Sequence, residues 1–528
     1  MKNKLFLLLM VVFVCISGSM AYAEDEPERL KEAIINLSSF PDTLDPNKVS
    51  TKNGEMCILH LFEGLMKMVP DEEASFEDNS GGIVPVKVVP GQASSYEVSK
   101  DGRVYMFHLR DDIFWSDGKP VTAEDFVFSW RRLLHANNKC YYGSMLNGIV
   151  ENAAEVQNKE CKDQYLGIQA IDEKTLVIHL VRETPGFLEL CASAELVPLR
   201  SDIINEYQEE WTDPEHIVTN GAYVLSRVQN NIYIKMRTND VYYEDDFSGP
   251  DDLRWEFMTR DENFGIIYDI ADNNMILIAD IGTTEPEDKY SVYCLPENSV
   301  TGLSFSTTRL PDWRVRAALC LVADREFYIS EVLKHRYTIR NDFYKTNEET
   351  DFVKYYLQEA YPDYDLSNYF ERCKLAGKLL EEAEEDGFKE TKKLIFRYYA
   401  GNEEIGSLAE NIRLDILYAL GLQVTLKEYT EWEEYHQFVS KGKYDIAMSE
   451  WPQDLNLVFG KWKNDEYKNL AVDDRDYAFN SSKILFSEDG FPALPLYENR
   501  MYCALADGIR NVGWSEDGYF LFTNVVTE

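Results

Sequence analysis

CKLAGKLLEEAEEDGFKETKKLIFRYYAGNEEIGSLAENIRLDILYALGLQVTLKEYTEWEEYHQFVSKGKYDIAM, Cys373 to Met448, decides the fold class. Leu375, Leu379, Leu380 and Ala383 recur at helical spacing and stop at Gly387. A strand follows from Leu394 to Ala400, then a helix near Ser407 to Leu420 that ends at Gly421. The pattern repeats with a strand near Gln423 to Glu428, a helix near Glu431 to Lys441 and a strand from Tyr444 to Met448. Strands alternating with helices of this length predict βαβ units and an α/β lobe. Open α/β sheets commonly place ligands at the tips of such strands.

Upstream, Arg103 to Leu109 reads as a strand. Pro120 to Asp125 opens a helix, with Thr122 and Asp125 spaced as a capping box ahead of Phe126, Val127 and Trp130. No internal repeat, low-complexity tract or Gly/Ser linker interrupts the chain, so ordered crossings rather than flexible tethers must join its domains.

Lys2 and Lys4 precede an apolar run from Leu5 to Ile16, and Ala21-Tyr22-Ala23 stands before Glu24-Asp25-Glu26. That order is a secretory signal peptide cleaved after Ala23, because the run is shorter than the ~20 apolar residues that span a bilayer. Lipidation at Cys15 is the minor alternative, since Val14 before it is bulky. No later segment has enough consecutive uncharged apolar residues to span, which predicts a protein soluble in the compartment to which the signal peptide exports it.

With 528 residues, 45% of them hydrophobic, the chain has material for two or three domains. Lys and Arg number 53 against 93 Asp and Glu, a net charge of −40 without an acidic tail. Such a surface repels nucleic acid and anionic lipid, and suits solubility or a cationic ligand. Beyond Cys15, eight cysteines are scattered without a CxxC; Cys140 with Cys161 is the one bridge expected, and Cys320 and Cys373 read as free thiols in helices.

A secreted hydrolase would need a nucleophile, an acid/base pair or a metal. There is no GxSxG, HExxH or GxxxxGK[ST], and the seven histidines are far apart. No enzyme activity, cofactor or metal site is expected.

Six groups of residues nevertheless stand in an informative order. They are Thr43-Leu44-Asp45-Pro46; Leu61-Phe62-Glu63-Gly64-Leu65; Phe107-His108-Leu109-Arg110 through Trp115-Ser116-Asp117-Gly118 to Trp130-Arg131-Arg132; Thr219-Asn220-Gly221-Ala222-Tyr223; Arg314 to Leu319 with Asp324-Arg325; and Tyr444-Asp445 leading to Trp451. Together they resemble the family 5 extracellular solute-binding proteins, most of all the oligopeptide binders of bacterial ABC importers. The resemblance implies a two-lobed α/β periplasmic-binding-protein fold, with an additional subdomain in the first lobe and a hinge of two crossing strands. The expected boundaries are 1–23 signal peptide; 24–52 with 200–298 and 497–528 first lobe; 53–199 additional subdomain; and 299–496 second lobe. A monomer is expected that carries a short peptide to a membrane permease.

The same resemblance supplies the expected site. Asp454 matches the carboxylate that holds the peptide's α-ammonium, and Trp451 and Trp432 match two tryptophans near the ligand. Tyr142 matches a pocket tyrosine, and Ser38, Ser39 and Phe40, up to Pro41, match the strand that pairs with the ligand backbone. Departures are equally informative: where the family sets basic residues for the peptide carboxylate, this chain has Val439, Met448 and Gly406. Glu450 stands where the family often has glycine, adding an anion near the site. A longer or cationic peptide fits those changes. The alternatives are another small ligand in the same fold, or a sensor or surface interaction protein that has lost transport.

Overall fold

A computed structural model describes residues 29–527 except 38, 72, 77–81, 136–141, 245–246, 258–274, 280–289, 335–336, 341–350, 389–392, 401–402, 431, 440 and 453–489. The signal-peptide expectation and Cys15 lie outside these residues.

The labelled elements follow chain order. In the first half they are β1 (Glu32–Leu37), α1 (Lys52–Leu61), α2 (Ala123–Leu134), β2 (Tyr223–Gln229), β3 (Tyr233–Thr238), β4 (Asp252–Phe257) and β5 (Met275–Ala279). Then come β6 (Tyr290–Phe305), α3 (Trp313–Val322), α4 (Tyr369–Glu385), β7 (Leu394–Tyr399) and α5 (Glu403–Leu420). The last are β8 (Val424–Tyr429), α6 (Trp432–Val439), β9 (Ile446–Pro452) and β10 (Ala493–Ala506). The βαβ run expected between Cys373 and Met448 is thus present as α4-β7-α5-β8-α6-β9. The Arg103 to Leu109 strand appears as Val104–Leu109. At the start of α2 the Thr122 amide and hydroxyl both donate to Asp125 Oδ2, at 2.9 and 3.0 Å.

One sheet runs in the order β8-β7-β9-β6-β10-β5-β1-β4-β3-β2, with the short strand Thr338–Ile339 attached to β10. β7 is parallel to β8 and β9, as crossover helices require. Helix α4 packs on α3 and α5, covering that end of the sheet. Two further four-stranded sheets are built from residues 66–109, 168–179 and 512–521.

The apolar interior falls into two clusters. The first gathers residues 33–295 and 503–525, and the second residues 300–497. Among the described residues only β6 and β10 contribute to both: Tyr293, Leu295, Cys503 and Leu505 belong to the first, Val300, Leu303, Leu494 and Tyr497 to the second. Their antiparallel ladder loses register between Pro296 and Val300 and again between Thr301 and Gly302. A bulged ladder with a proline in it has fewer bonds to break on bending, so the crossing is built as a flexible joint.

The expected Cys140–Cys161 bridge is not formed: Cys161 is a free thiol whose amide closes a turn on Glu155 O, while Cys140 lies outside the described residues. Every other described cysteine is also free, Cys320 buried and Cys373 half-buried. Burial pushes the Cys57, Cys191 and Cys503 thiols up, which keeps them protonated and inert.

Candidate ligand-binding site

Helix α1 opens at Thr51, whose hydroxyl accepts from the Gly54 amide. Asp42 holds that cap in place by accepting from Thr51 Oγ1 at 2.7 Å and from the Ser50 amide and hydroxyl. An acid near a helix N-terminus also complements the helix dipole. The cap therefore fixes where Lys52, Asn53 and Glu55 project.

Each of these three side chains reaches a different segment named from the sequence. Asn53 Nδ2 donates to the Ser39 carbonyl and hydroxyl at 2.8 and 3.0 Å. Glu55 accepts from Tyr142 and, at 2.5 Å, from Tyr519 Oη. Lys52 Nζ lies 3.1 Å from Glu297 in the broken ladder of β6 and 3.9 Å from Glu450 on β9. One helical turn thus touches the chain after β1, Tyr142, the joint and strand β9 of the second lobe.

The electrostatics are uneven. Burial pushes the Glu55 carboxyl up, against the two tyrosine hydrogen bonds and the charge of Lys52. Burial raises Glu195 further, and the neighbouring charge of Glu55 adds to it. Two carboxyls that share a dry site disfavour each other's ionisation, which pushes both in the same direction. Partial desolvation works against the half-exposed Lys52 ammonium, but Glu297 and Glu450 outweigh it and hold the group above its ordinary range.

The other expected residues are placed as follows. Phe40 turns back to the first cluster, its ring edge-on to Phe257 at 4.8 Å. Met448 is buried in the second cluster, and its carbonyl accepts from Tyr435 Oη. Trp432 begins α6 and Trp451 lies on β9, paired with Val300 of β6, so both elements border the joint side of the second lobe. Ser38 and Asp454 lie outside the described residues. Among the described residues no group of three or more His, Cys, Asp or Glu could hold a metal ion, and no helix is long and apolar enough to cross a membrane.

Sequence reading missed Lys52, Asn53 and Glu55. A signal existed: Glu55 is the only acid in the stretch from Gly54 to Phe62, apolar but for His60, at a position a helix turns inward. Its side chain is 1% exposed.

Several residues of the six ordered motifs instead build the frame. Arg132 grips both Asp45 oxygens at 2.7 and 2.6 Å, and Trp211 Nε1 donates to the same carboxylate at 3.2 Å. Asn220 accepts from the Glu63 amide and donates to its carbonyl, while Glu63 accepts from Tyr242, Tyr243 and Gln92. Gly221 has no room for a Cβ, which would meet the Leu61 backbone at 2.7 Å. In the second lobe Asp445 accepts from Arg309 and from the Ile395 amide at 2.7 Å.

Two clusters joined by two bulged strands, with an organised turn facing the joint, define a two-lobed binding protein. The family described as bacterial extracellular solute-binding proteins, family 5, matches residues 87–458, and this chain belongs to it. It is 26% identical over 526 residues to the probable deoxycholate-binding periplasmic protein YgiS of Escherichia coli K12, covering 91% of each chain. It is 29% identical over 460 residues to the periplasmic oligopeptide-binding protein OppA of Salmonella typhimurium, covering 84% of this chain and 80% of that one. Among solved structures, the murein tripeptide binding protein MppA of E. coli superposes with a TM-score of 0.77 at 22% identity, covering 95% of this chain and 99% of the other. Haemophilus influenzae OppA in complex with RPPGFSPFR gives 0.76 at 23% identity, covering 95% and 100%. These last two likenesses establish the fold.

Proposed function

We propose that this protein captures short peptides between its lobes outside the cytoplasm and delivers them intact to the permease of an ABC importer. The observation that carries this reading is the first turn of α1, which ties the Ser39 backbone, Tyr142, the joint and β9 into one constellation. Relatives named as oligopeptide binders support it.

In this reading the peptide extends between the segment after β1 and strand β9, and its main chain completes hydrogen bonds on both sides. Main-chain bonding gives grip without regard to side chain, and watery pockets tolerate variety. Asp454, three residues beyond Trp451, takes the peptide's α-ammonium. Lobe closure about β6 and β10 encloses the ligand, and no residue acts on it chemically. The periplasm is the compartment, the signal peptide ends at Ala23, and the protein works as a monomer.

One relative carries a bile acid rather than a peptide in its name, which keeps a non-peptide ligand as the second reading. Titration calorimetry with a matched pair, a free-amino tripeptide and its N-acetylated form, separates the two. Asp454→Ala should weaken binding of the free-amino peptide by about 2–5 kcal/mol and barely affect the acetylated one. Equal losses for both, or no binding of either by the unaltered protein, would remove the assigned role.

A further inference from the structure

Glu450 brings a carboxylate to the wall of the second lobe, and its counter-ion comes from the other lobe. Lys52 belongs to α1, whose Cys57 and Ile58 lie in the first cluster; Glu450 belongs to β9, whose Ile446 and Met448 lie in the second. Between them stands Glu297, within the interval where β6 and β10 lose register. The ammonium is therefore shared between the joint and the opposite wall.

Packing around the pair is specific. Gly518 approaches with φ +95°, and a Cβ there would meet Lys52 Nζ at 2.9 Å and Glu297 Oε1 at 3.2 Å. Trp514 Nε1 donates to the Pro296 carbonyl at 2.8 Å, and the Asn298 amide donates to the Glu516 carbonyl. These contacts anchor Glu297 to the first lobe, so Lys52 keeps that partner when the lobes separate. The longer Lys52–Glu450 link is the part of this network that crosses to the second lobe.

We propose that Lys52 is a positioning residue that clasps the two lobes by bridging Glu297 to Glu450, and that in doing so it offsets part of the Glu450 charge beside the ligand. The proposal rests on the two-lobed fold and deepens the peptide reading. A ligand side chain lying against β9 then meets a carboxylate partly offset by the shared ammonium instead of a bare anion. The side chains of Lys52 and Glu450 are 42% and 47% exposed, so the link is screened by salt.

The test needs no ligand, which keeps its failure distinct from failure of the peptide reading. Dyes attached through non-natural residues at Ile171 and Tyr418, both exposed and one in each lobe, report lobe separation in the ligand-stripped full chain by single-molecule energy transfer. Glu450→Gln, at an exposed position that should not disturb folding, is expected to lower the closed-to-open ratio by roughly 1.5- to 5-fold at low salt. It should also abolish the response of that ratio to 500 mM NaCl. Lys52→Met should do the same, and the double variant should be no more open than either single one. Unchanged ratios in Glu450→Gln, a salt response that survives it, or additive effects in the double variant would each overturn the proposal.

Discussion

The two lobes achieve stability by different means. The first buries Asp45, Glu63 and Glu195, together with Asn47, Asn220 and His60, among its apolar residues. The second is an α/β layer of Leu, Ile, Val and Ala, and its ion pairs such as Arg309–Asp445 and Arg314–Asp312 keep one partner or both nearer water. Buried polar groups are costly unless every bond is made, but once made they tolerate few alternative arrangements. The first lobe is thus the more exactly specified frame, and α1, which organises the candidate site, belongs to it.

That contrast can be broken by matched substitutions. Asp45→Ala takes the carboxylate from Arg132, leaving it Asn47 Oδ1 at 2.9 Å, and it removes the acceptor of Trp211 and of the Asn47 amide at 3.1 Å. A loss of about 3–5 kcal/mol is expected, read from the first-lobe transition in urea unfolding. A loss near zero would mean that the frame is not what stabilises this lobe.

His60 supplies a smaller effect with a sign that can be checked. Its Nδ1 donates to the Met56 carbonyl and its Nε2 accepts from the Phe522 amide, so the buried ring is neutral. Burial lowers its pKa from 6.5 to about 4. The unfolded chain takes up this proton as the pH falls through 6.5, whereas the folded chain waits until about 4, so stability is lost across that window. The full cost below pH 4 is about 3 kcal/mol, and His60→Gln should flatten the first-lobe pH profile in this range.

The second lobe should give least. Asp445→Ala removes partners from the Ile395 amide and from Arg309, but Arg309 is 40% exposed and water can replace the lost contact. A loss of about 1–3 kcal/mol in the second transition is expected. A cost equal to that of Asp45→Ala would erase the distinction between the lobes.

The second lobe was also the easier one to read. Periodicity and glycine stops between Cys373 and Met448 located every element of the βαβ run, because short-range patterning alone governs a helix face or a buried strand. The first lobe offered motifs instead, and many of their residues proved to be partners of one another across long separations: Asp45 with Arg132, Glu63 with Asn220. No local pattern announces a bond between residues so far apart. The same reason hid Lys52 and Asn53, whose roles depend on Glu297, Glu450 and Ser39 arriving from elsewhere in the chain. Glu450 looked from the sequence like an unbalanced anion favouring a cationic ligand; its counter-ion in the other lobe could be found only in three dimensions.

Native mass spectrometry of the purified protein, followed by mild denaturation and sequencing of what is released, tests the central claim most directly. A mixture of intact short peptides is the predicted result, and its length distribution would define the site. A single non-peptide species such as a bile acid, or peptides released only as cleaved fragments, would contradict capture and delivery of intact peptides.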